Sequence, residues 1–426
     1  MRITIITVGS RGDAQPYAAL GAGLARRGHD VTVATHEMFR PLVQAAGVAF
    51  APIAGDPAAI VAAADRWVAT GRMRDLVPGA RYFIRAHAPL SKAMLMDYWR
   101  AGQGSDVLVY SNVAFPAWSV AERLAIPGIA AGLQPLHRTR AFPFIGLGGM
   151  NAAPTHSLGA AFNETSYALA GWLVWESQRR YVSAWRTHVL DLPDTSWRGP
   201  FGKDGAGGSG VPAIYGYSPL IVDRPADWPS TVHVTGYWPL PLAHDWRPPP
   251  ALERFLEAGE PPVYIGFGSM TPQRAERLTA LAVEALRLSE QRGILSSGWG
   301  ELGSGTLPSS VCAVRDIPHE WLFPRMRAIV HHGGAGTTGA ALRSGVPSVV
   351  TPLGFDQPYW GRRVVALGVG PEPVSRRRLT ASRLAHAIDR AVRDSEMRSR
   401  AAALGERLRA ERGIDRAIEV IEDAGR

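Results

Sequence analysis

An α/β architecture of two doubly wound, Rossmann-like domains facing a cleft is what this chain predicts, on three observations. Apolar, β-branched runs alternate with helical patterns from the first residues onward, which is the grammar of a parallel, helix-covered sheet. The alternation breaks off in a proline-rich stretch, Val232 to Pro250, and resumes beyond it. The length of 426 residues then fits two or three domains, at roughly 150 residues each.

The elements follow in order. Arg2 to Gly9 reads as a buried strand, Gly9 to Asp13 as a tight turn, and Pro16 to Arg27 as a helix that presents Tyr17, Leu20 and Leu24 on one face before Gly28 stops it. Val31 to Thr35 alternates as a second strand, and the same grammar returns at Val107 to Tyr110, Trp118 to Leu124 and Gly128 to Ala131. A Gly/Pro-rich loop from Phe142 leads into an aromatic stretch with Tyr167, Trp172, Trp175, Tyr181 and Trp185, whose helical spacing suits core packing and, in part, an apolar ligand pocket. Gly199 to Gly210 reads as a mobile loop. After the prolines come a strand at Val263 to Phe267, a helix at Arg274 to Glu290, a strand at Ala328 to His331, a helix at Thr337 to Arg343 stopped by Gly345, and a strand at Pro347 to Thr351. The segmentation is residues 1–235, a stiff linker at 236–250, a second domain at 251–405, and a helical segment at 406–426 able to pack back on the first domain.

Composition narrows the function classes. Hydrophobic residues at 46% and charged residues at 19% exclude a disordered chain, and no apolar run reaches the roughly 18 residues of a membrane span. One cysteine, Cys312, cannot form an internal disulfide, so a reducing cytoplasm is the expected compartment. The formal charge of +9 permits peripheral contact with anionic lipid, although the sequence shows no amphipathic anchor. Nucleic acid is not expected, because the densest basic run, Arg376 to Arg378, has no interleaved aromatics.

The strongest chemical motif is His331-His332-Gly333-Gly334-Ala335-Gly336-Thr337-Thr338, set between a strand and a helix. Small residues let backbone amides approach an anion, and the helix adds unsatisfied N–H groups and the positive end of its dipole, so a diphosphate suits this turn. His331 is expected to add a charge-assisted donor; the plainer alternative is a tight turn with histidines packed in the core. Ser269, after the strand at Val263, can present a hydroxyl to the same anion. Asp356 and Gln357 offer acceptors and donors for the vicinal hydroxyls of a sugar, or else form an Asx-type turn before Pro358. Asp13 lies on the turn after the first strand, where a carboxylate can take a proton from a hydroxyl nucleophile or cap the following helix. Asp-x-Asp, His-Glu-x-x-His and Gly-x-Ser-x-Gly are all missing from the sequence, which leaves metal-clamped transfer, zinc hydrolysis and serine hydrolysis without visible apparatus.

Taken together, Gly9 to Pro16 with Gly28-His29, Tyr264 to Met270, Ser296 to Gly300, Ile317 to Phe323, His331 to Thr338 and Asp356 to Gly361 resemble the inverting nucleotide-sugar glycosyltransferases of the GT-B fold. The nearest branch is that of the sterol glucosyltransferases and bacterial natural-product enzymes of the glycopeptide and macrolide type. The resemblance implies a metal-independent displacement at C1 of a nucleotide sugar, with no cofactor beyond that co-substrate. It also implies an N-terminal acceptor domain and a C-terminal donor domain. It makes Asp13 the general base and places His331, Gly333, Gly334, Ala335, Gly336, Thr337, Thr338 and Ser269 on the donor phosphates. Asp356 and Gln357 fall on the sugar, the Ile317 backbone falls on the pyrimidine, and His319 belongs to the donor-binding set.

Two departures bear on the donor. Asp316 replaces the plant family's base-stacking tryptophan, and Gly339 falls near its ribose-binding glutamate. UDP-glucose is the favoured donor and a dTDP-sugar the alternative. An apolar hydroxylated acceptor, sterol-like first and polyketide or glycopeptide second, is expected against Asn112, Phe115, Trp118, Phe142, Phe144, Trp172 and Trp175. A nucleotide-sugar epimerase of the same fold and a noncatalytic binding module remain as rivals.

Overall fold

The computed structural model describes residues 1–57, 88–147, 157–195, 199–201, 211–242, 246–268, 272–297, 302–303 and 306–426. The chain divides into two compact units, Met1–Leu240 with Arg412–Arg426, and Pro241–Glu411.

The first unit is built on strands β1 (Arg2–Ile6), β2 (Asp30–His36), β3 (Ala49–Ile53), β4 (Val107–Ser111), β5 (Gly128–Gly132), β6 (Ala213–Tyr215) and β7 (Val232–Val234). They form one parallel sheet in the order β3-β2-β1-β4-β5-β6-β7, with Ile3 opposite both Val31 and Val107. β1 reads as a continuous apolar run because it is covered on both sides: Ile3, Ile5 and Ile6 are all buried. The strand order reverses between β1 and β4, and the C-terminal ends of such a pair are where open α/β sheets bind ligands. Asp13 follows one of these strands and Asn112 the other.

The helix after β1 runs Arg11–Arg26 and carries Pro16 inside it, whereas the sequence reading started it at that proline. Pro16 removes only the bond to the carbonyl of Gly12, and Gly12 is exposed, so water can satisfy that oxygen. Val232–Val234, read from sequence as part of the proline-rich connector, adds to the sheet as its edge strand through pairing with Ala213–Tyr215. The division between units falls at Leu240 and Pro241, inside the proline stretch. Of the expected terminal segment at 406–426, residues to Arg409 finish a helix of the second unit, Ser395–Arg409. Only the helix Gly413–Ala424 joins the first unit. There Ala417, Ile418 and Ile421 enter the same core as Leu20 and Leu24. A Cβ at Gly23 would meet Ile414 Cγ2 at 2.5 Å, so the close approach of the two helices depends on that glycine.

The second unit carries β8 (Val263–Gly266), β9 (Gly293–Ser296), β10 (Val311–Val314), β11 (Ala328–His331) and β12 (Ser348–Val350). All are parallel, in the order β10-β9-β8-β11-β12. The amphipathic helices Pro272–Leu288 and Ala381–Arg393 cover one face, with Leu278, Ala282, Leu384 and Ile388 in a common core with Val263 and Val330. No helix among the described residues is long and apolar enough to cross a membrane.

Candidate active site

In the second unit, β11 ends at His331, whose side chain is fully buried. Gly333 follows with φ +90°, and a Cβ there would stand 2.7 Å from Val350 Cγ1, so only glycine fits this turn. Gly334 is the N-cap of the helix Ala335–Ser344, and Gly345, with φ +76°, ends it. The amides of Ala335, Gly336 and Thr337 have no intrahelical acceptor by helix geometry. The Thr338 amide bonds to the Gly334 carbonyl at 2.9 Å, while its hydroxyl, also buried, has no partner among the described residues.

The state of His331 follows from its contacts. The Gly333 N–H donates to its Nδ1 at 3.1 Å, so the ring proton sits on Nε2, and Nε2 is buried without a partner among the described residues. Burial, with His332 and His319 nearby, pushes the pKa down to about 3. The expectation of a charge-assisted donor is therefore corrected: in an enclosed site an imidazolium is too costly to keep, and His331 presents a neutral N–H.

His332 was not singled out from the sequence. Its ring lies between two glycines, since a Cβ on Gly268 would be 3.2 Å from Nδ1 and one on Gly334 2.5 Å from Nε2. It too is neutral, lowered to about 4 by burial and then by the charge of Arg376. Ser269 lies outside the described residues, as do residues 298–300 of the Ser296 motif and most of the Gly199 to Gly210 loop.

Beyond β12, Gln357 opens the helix Gln357–Ala366 and accepts the Leu353 N–H on Oε1 at 2.7 Å, leaving its amide N–H groups as the donors it can offer. Asp356 accepts the Trp360 indole N–H on Oδ2 at 2.9 Å. Gln357 is thus fixed by the loop before its helix and Asp356 by Trp360, one turn into it, a contact the sequence alone does not show. Ile317 is half-buried beside Asp316, which adopts φ +54°. His319 stacks on Phe323 with ring centres 4.2 Å apart, edge-on to Tyr264 at 5.9 Å. The histidine is therefore engaged in an aromatic cluster.

In the first unit, Ser10 is the N-cap of the helix Arg11–Arg26 and Asp13 stands at its third position. Asp13 is therefore not the cap itself. The Ser10 N–H donates to Asp13 Oδ2 at 2.8 Å and the Ser10 hydroxyl at 2.9 Å. Burial raises the pKa of Asp13, and the two hydrogen bonds from Ser10 oppose the rise. The Ser-x-x-Asp spacing of a capping box was the signal available in the sequence.

The residues expected on the acceptor do not share one environment. Asn112 follows β4 with its Nδ2 buried and without a partner among the described residues, 2.4 Å from where a Gly132 Cβ would be. Phe115 and Trp175 are core residues, 4% and 0% exposed, and present no surface to a ligand. Trp118 lies edge-on to Trp175 and under the Arg186 guanidinium, half-buried. Phe144 packs edge-on to Tyr167, Phe142 is half-buried, and Trp172 is 46% exposed.

Comparison with known proteins places this geometry. The fold is that of GT-B glycosyltransferases. The glycotransferase of kitacinnamycin superposes over 99% of this chain and 98% of its own, with a TM-score of 0.68 at 22% identity. The calicheamicin glycosyltransferase CalG4 does so over 99% and 98%, with a TM-score of 0.65 at 19% identity. The Streptomyces sp. SF2575 glycosyltransferase SsfS6, complexed with thymidine diphosphate, gives 0.63 at 20% identity over 99% of both chains.

More narrowly, residues 3–143 match the glycosyltransferase family 28 N-terminal domain, and residues 300–420 match the erythromycin biosynthesis protein CIII-like C-terminal domain. The chain is 39% identical over 99% of its length to the sterol 3-beta-glucosyltransferase of Cryptococcus neoformans var. neoformans serotype D (strain JEC21), and 37% identical over 99% to that of Aspergillus fumigatus. It spans 27% and 30% of the length of those two curated relatives.

Proposed function

We propose that this chain is a metal-independent, inverting glycosyltransferase that moves a hexose, glucose in the first instance, from a UDP-sugar to a hydroxyl of a sterol-like or polycyclic acceptor. The observation that carries the reading is the buried, neutral Nε2–H of His331, without a partner among the described residues, beside the open amides of Ala335, Gly336 and Thr337. These are donors arranged for an anion. The 39% identity across 99% of this chain to an enzyme named for sterol glucosylation supports the acceptor class.

In this reading the acceptor oxygen attacks C1, its proton passes to Asp13, and the bond from C1 to the diphosphate oxygen breaks with inversion. Charge growing on the departing diphosphate is met by the helix amides and His331, and one such donor is typically worth about 3 kcal/mol to the transition state. Gln357 offers its amide N–H groups to the sugar hydroxyls, and Asn112 its Nδ2–H, without a partner among the described residues, to the acceptor. A missing carboxylate at Gly339 leaves the ribose less tightly specified, which admits dTDP-sugars.

The test is to incubate purified protein with UDP-glucose and dTDP-glucose separately, against sterols and polyketide aglycones, and to follow a hexose mass increment. A sterol glucoside from UDP-glucose is expected. Transfer only from dTDP-glucose to polyketides would replace the acceptor and donor assignment, product formation without any acceptor would favour an epimerase, and failure to bind UDP would overturn the donor site. Chelation with EDTA should leave turnover within about twofold, because N–H groups rather than a cation meet the leaving charge.

A further inference from the structure

The long helix Ser157–His188 of the first unit presents an unusual outer face. Phe162, Leu169, Trp172, Leu173 and Val174 are 39, 54, 46, 55 and 42% exposed, and no other helix among the described residues presents more than one large apolar side chain to solvent. Phe162, Leu169 and Leu173 follow at spacings of seven and four, so they stand along one line of the helix, with Trp172 beside it. The inward face is distinct, with Asn163, Tyr167, Trp175, Val182 and Trp185 buried. From residue 162 to residue 174 the ridge is about 18 Å long at 1.5 Å per residue.

Arginines bracket this ridge. At its start Arg138 pairs with Glu164 at 2.8 Å, and the carbonyl of Arg140, itself exposed, accepts the Asn163 amide at 2.9 Å. Past its end Arg179 pairs with Glu176 at 3.8 Å, and Arg180 is exposed on the line of Phe162 and Leu173. Four arginines thus stand around the apolar strip against three carboxylates, Glu164, Glu176 and Asp227, the last accepting the Arg140 N–H at 2.7 Å, in a chain of net charge +9.

We propose that this helix face docks the enzyme onto an anionic lipid surface. Tryptophan, phenylalanine and leucine on an exposed helical face seat at the boundary between headgroups and acyl chains, and a rim of arginine adds attraction to anionic headgroups. A protein partner selected by this strip would need its own apolar groove, whereas a bilayer needs only the exposed ridge and the basic rim. The proposal sharpens the acceptor reading, since a sterol-like substrate partitions into membranes, but its test does not depend on sugar transfer.

That test is flotation of the full chain with phosphatidylcholine vesicles, with and without phosphatidylserine, at low and high salt. The variants are L169D/L173D, at residues that take no part in the proposed chemistry, and R179Q/R180Q. The wild type should float with the phosphatidylserine vesicles and lose part of that binding at high salt. L169D/L173D should cut the bound fraction at least about tenfold, while its melting temperature and UDP affinity stay unchanged. R179Q/R180Q should weaken binding to the anionic vesicles alone. A wild type that does not float, or an L169D/L173D variant that floats as well as wild type, overturns the proposal. So does a concentration-dependent dimer that the same variant abolishes while vesicles remain unbound, which would make the ridge a contact between copies. A failure of UDP binding in every variant counts against the donor reading and leaves the surface result standing.

Discussion

Both Ser10 donors fall on Oδ2 of Asp13, so in the proposed reaction Oδ1 is the oxygen that would take the proton. A carboxylate raised by burial is a better base than one in water, but its charge costs stability at neutral pH. The sign is fixed: with the folded pKa raised, the favourable contribution is complete below the unfolded value of 3.8 and is lost as pH rises through the folded value. Asp13→Asn should therefore lose at least about 100-fold in turnover with no fall in melting temperature at pH 7, measured by scanning calorimetry. A fall in both would make the residue a structural cap. The acid limb of the wild-type rate profile should lie above the ordinary aspartate range.

His331 works in the opposite direction. Its pKa falls from 6.5 to about 3 on folding, so the stability it contributes is present above pH 6.5 and is lost as pH drops toward 3. His331→Asn should flatten the loss of stability across that window in denaturant titrations, and should weaken UDP binding by calorimetry. Neither the sequence motif nor its spacing could show this neutrality, because a protonation state depends on burial, and burial is set by the whole sheet.

At the scale of elements, the turn at Gly333 ties the sheet to the helix that follows. Gly333→Ala would force a left-handed residue with a side chain against Val350, which should cost about 1–3 kcal/mol and displace the helix amides. Melting temperature and UDP affinity are expected to fall together, and a variant with wild-type affinity would separate the amides from the ligand.

Elements of this kind were readable from sequence because each is marked locally: Gly345 does stop the helix, and β11 spans Ala328–His331 as the apolar run suggests. Strand β7 escaped because its three residues are specified by pairing with β6, not by their own pattern. The helix from Ser157 showed its aromatic spacing in the sequence, yet which aromatics turn inward was not readable. Trp172 and Trp175 look alike there, and differ in the structure by what the rest of the unit packs over them.

For the whole molecule, two doubly wound units and the strand, glycine turn and helix order around His331 were legible, since glycine turns, strand runs and proline breaks are local signals that survive in a single sequence. Asp13 and His331 stood out for the same reason. Whether the residues expected on the acceptor converge was not legible, because they sit on separate loops and helices whose spacing in sequence carries no information on convergence, and Phe115 and Trp175 turn into the core while Trp172 faces out.

The chain passes from one unit to the other twice, at Leu240 and again at Glu411. Residues of the first unit are therefore synthesised both before and after the second, so its apolar strip around Leu20 and Leu24 waits for the helix Gly413–Ala424 until the ribosome has made everything between. The second unit is continuous and can complete its core first. A fragment ending at Leu240 should be aggregation-prone and should gain solubility and a cooperative melt when a peptide of residues 412–426 is supplied. The isolated segment from Pro241 to Glu411 should fold unaided. If the first fragment proves equally stable without the peptide, the closing helix is an ornament to that core, and folding of the first unit is finished long before synthesis is.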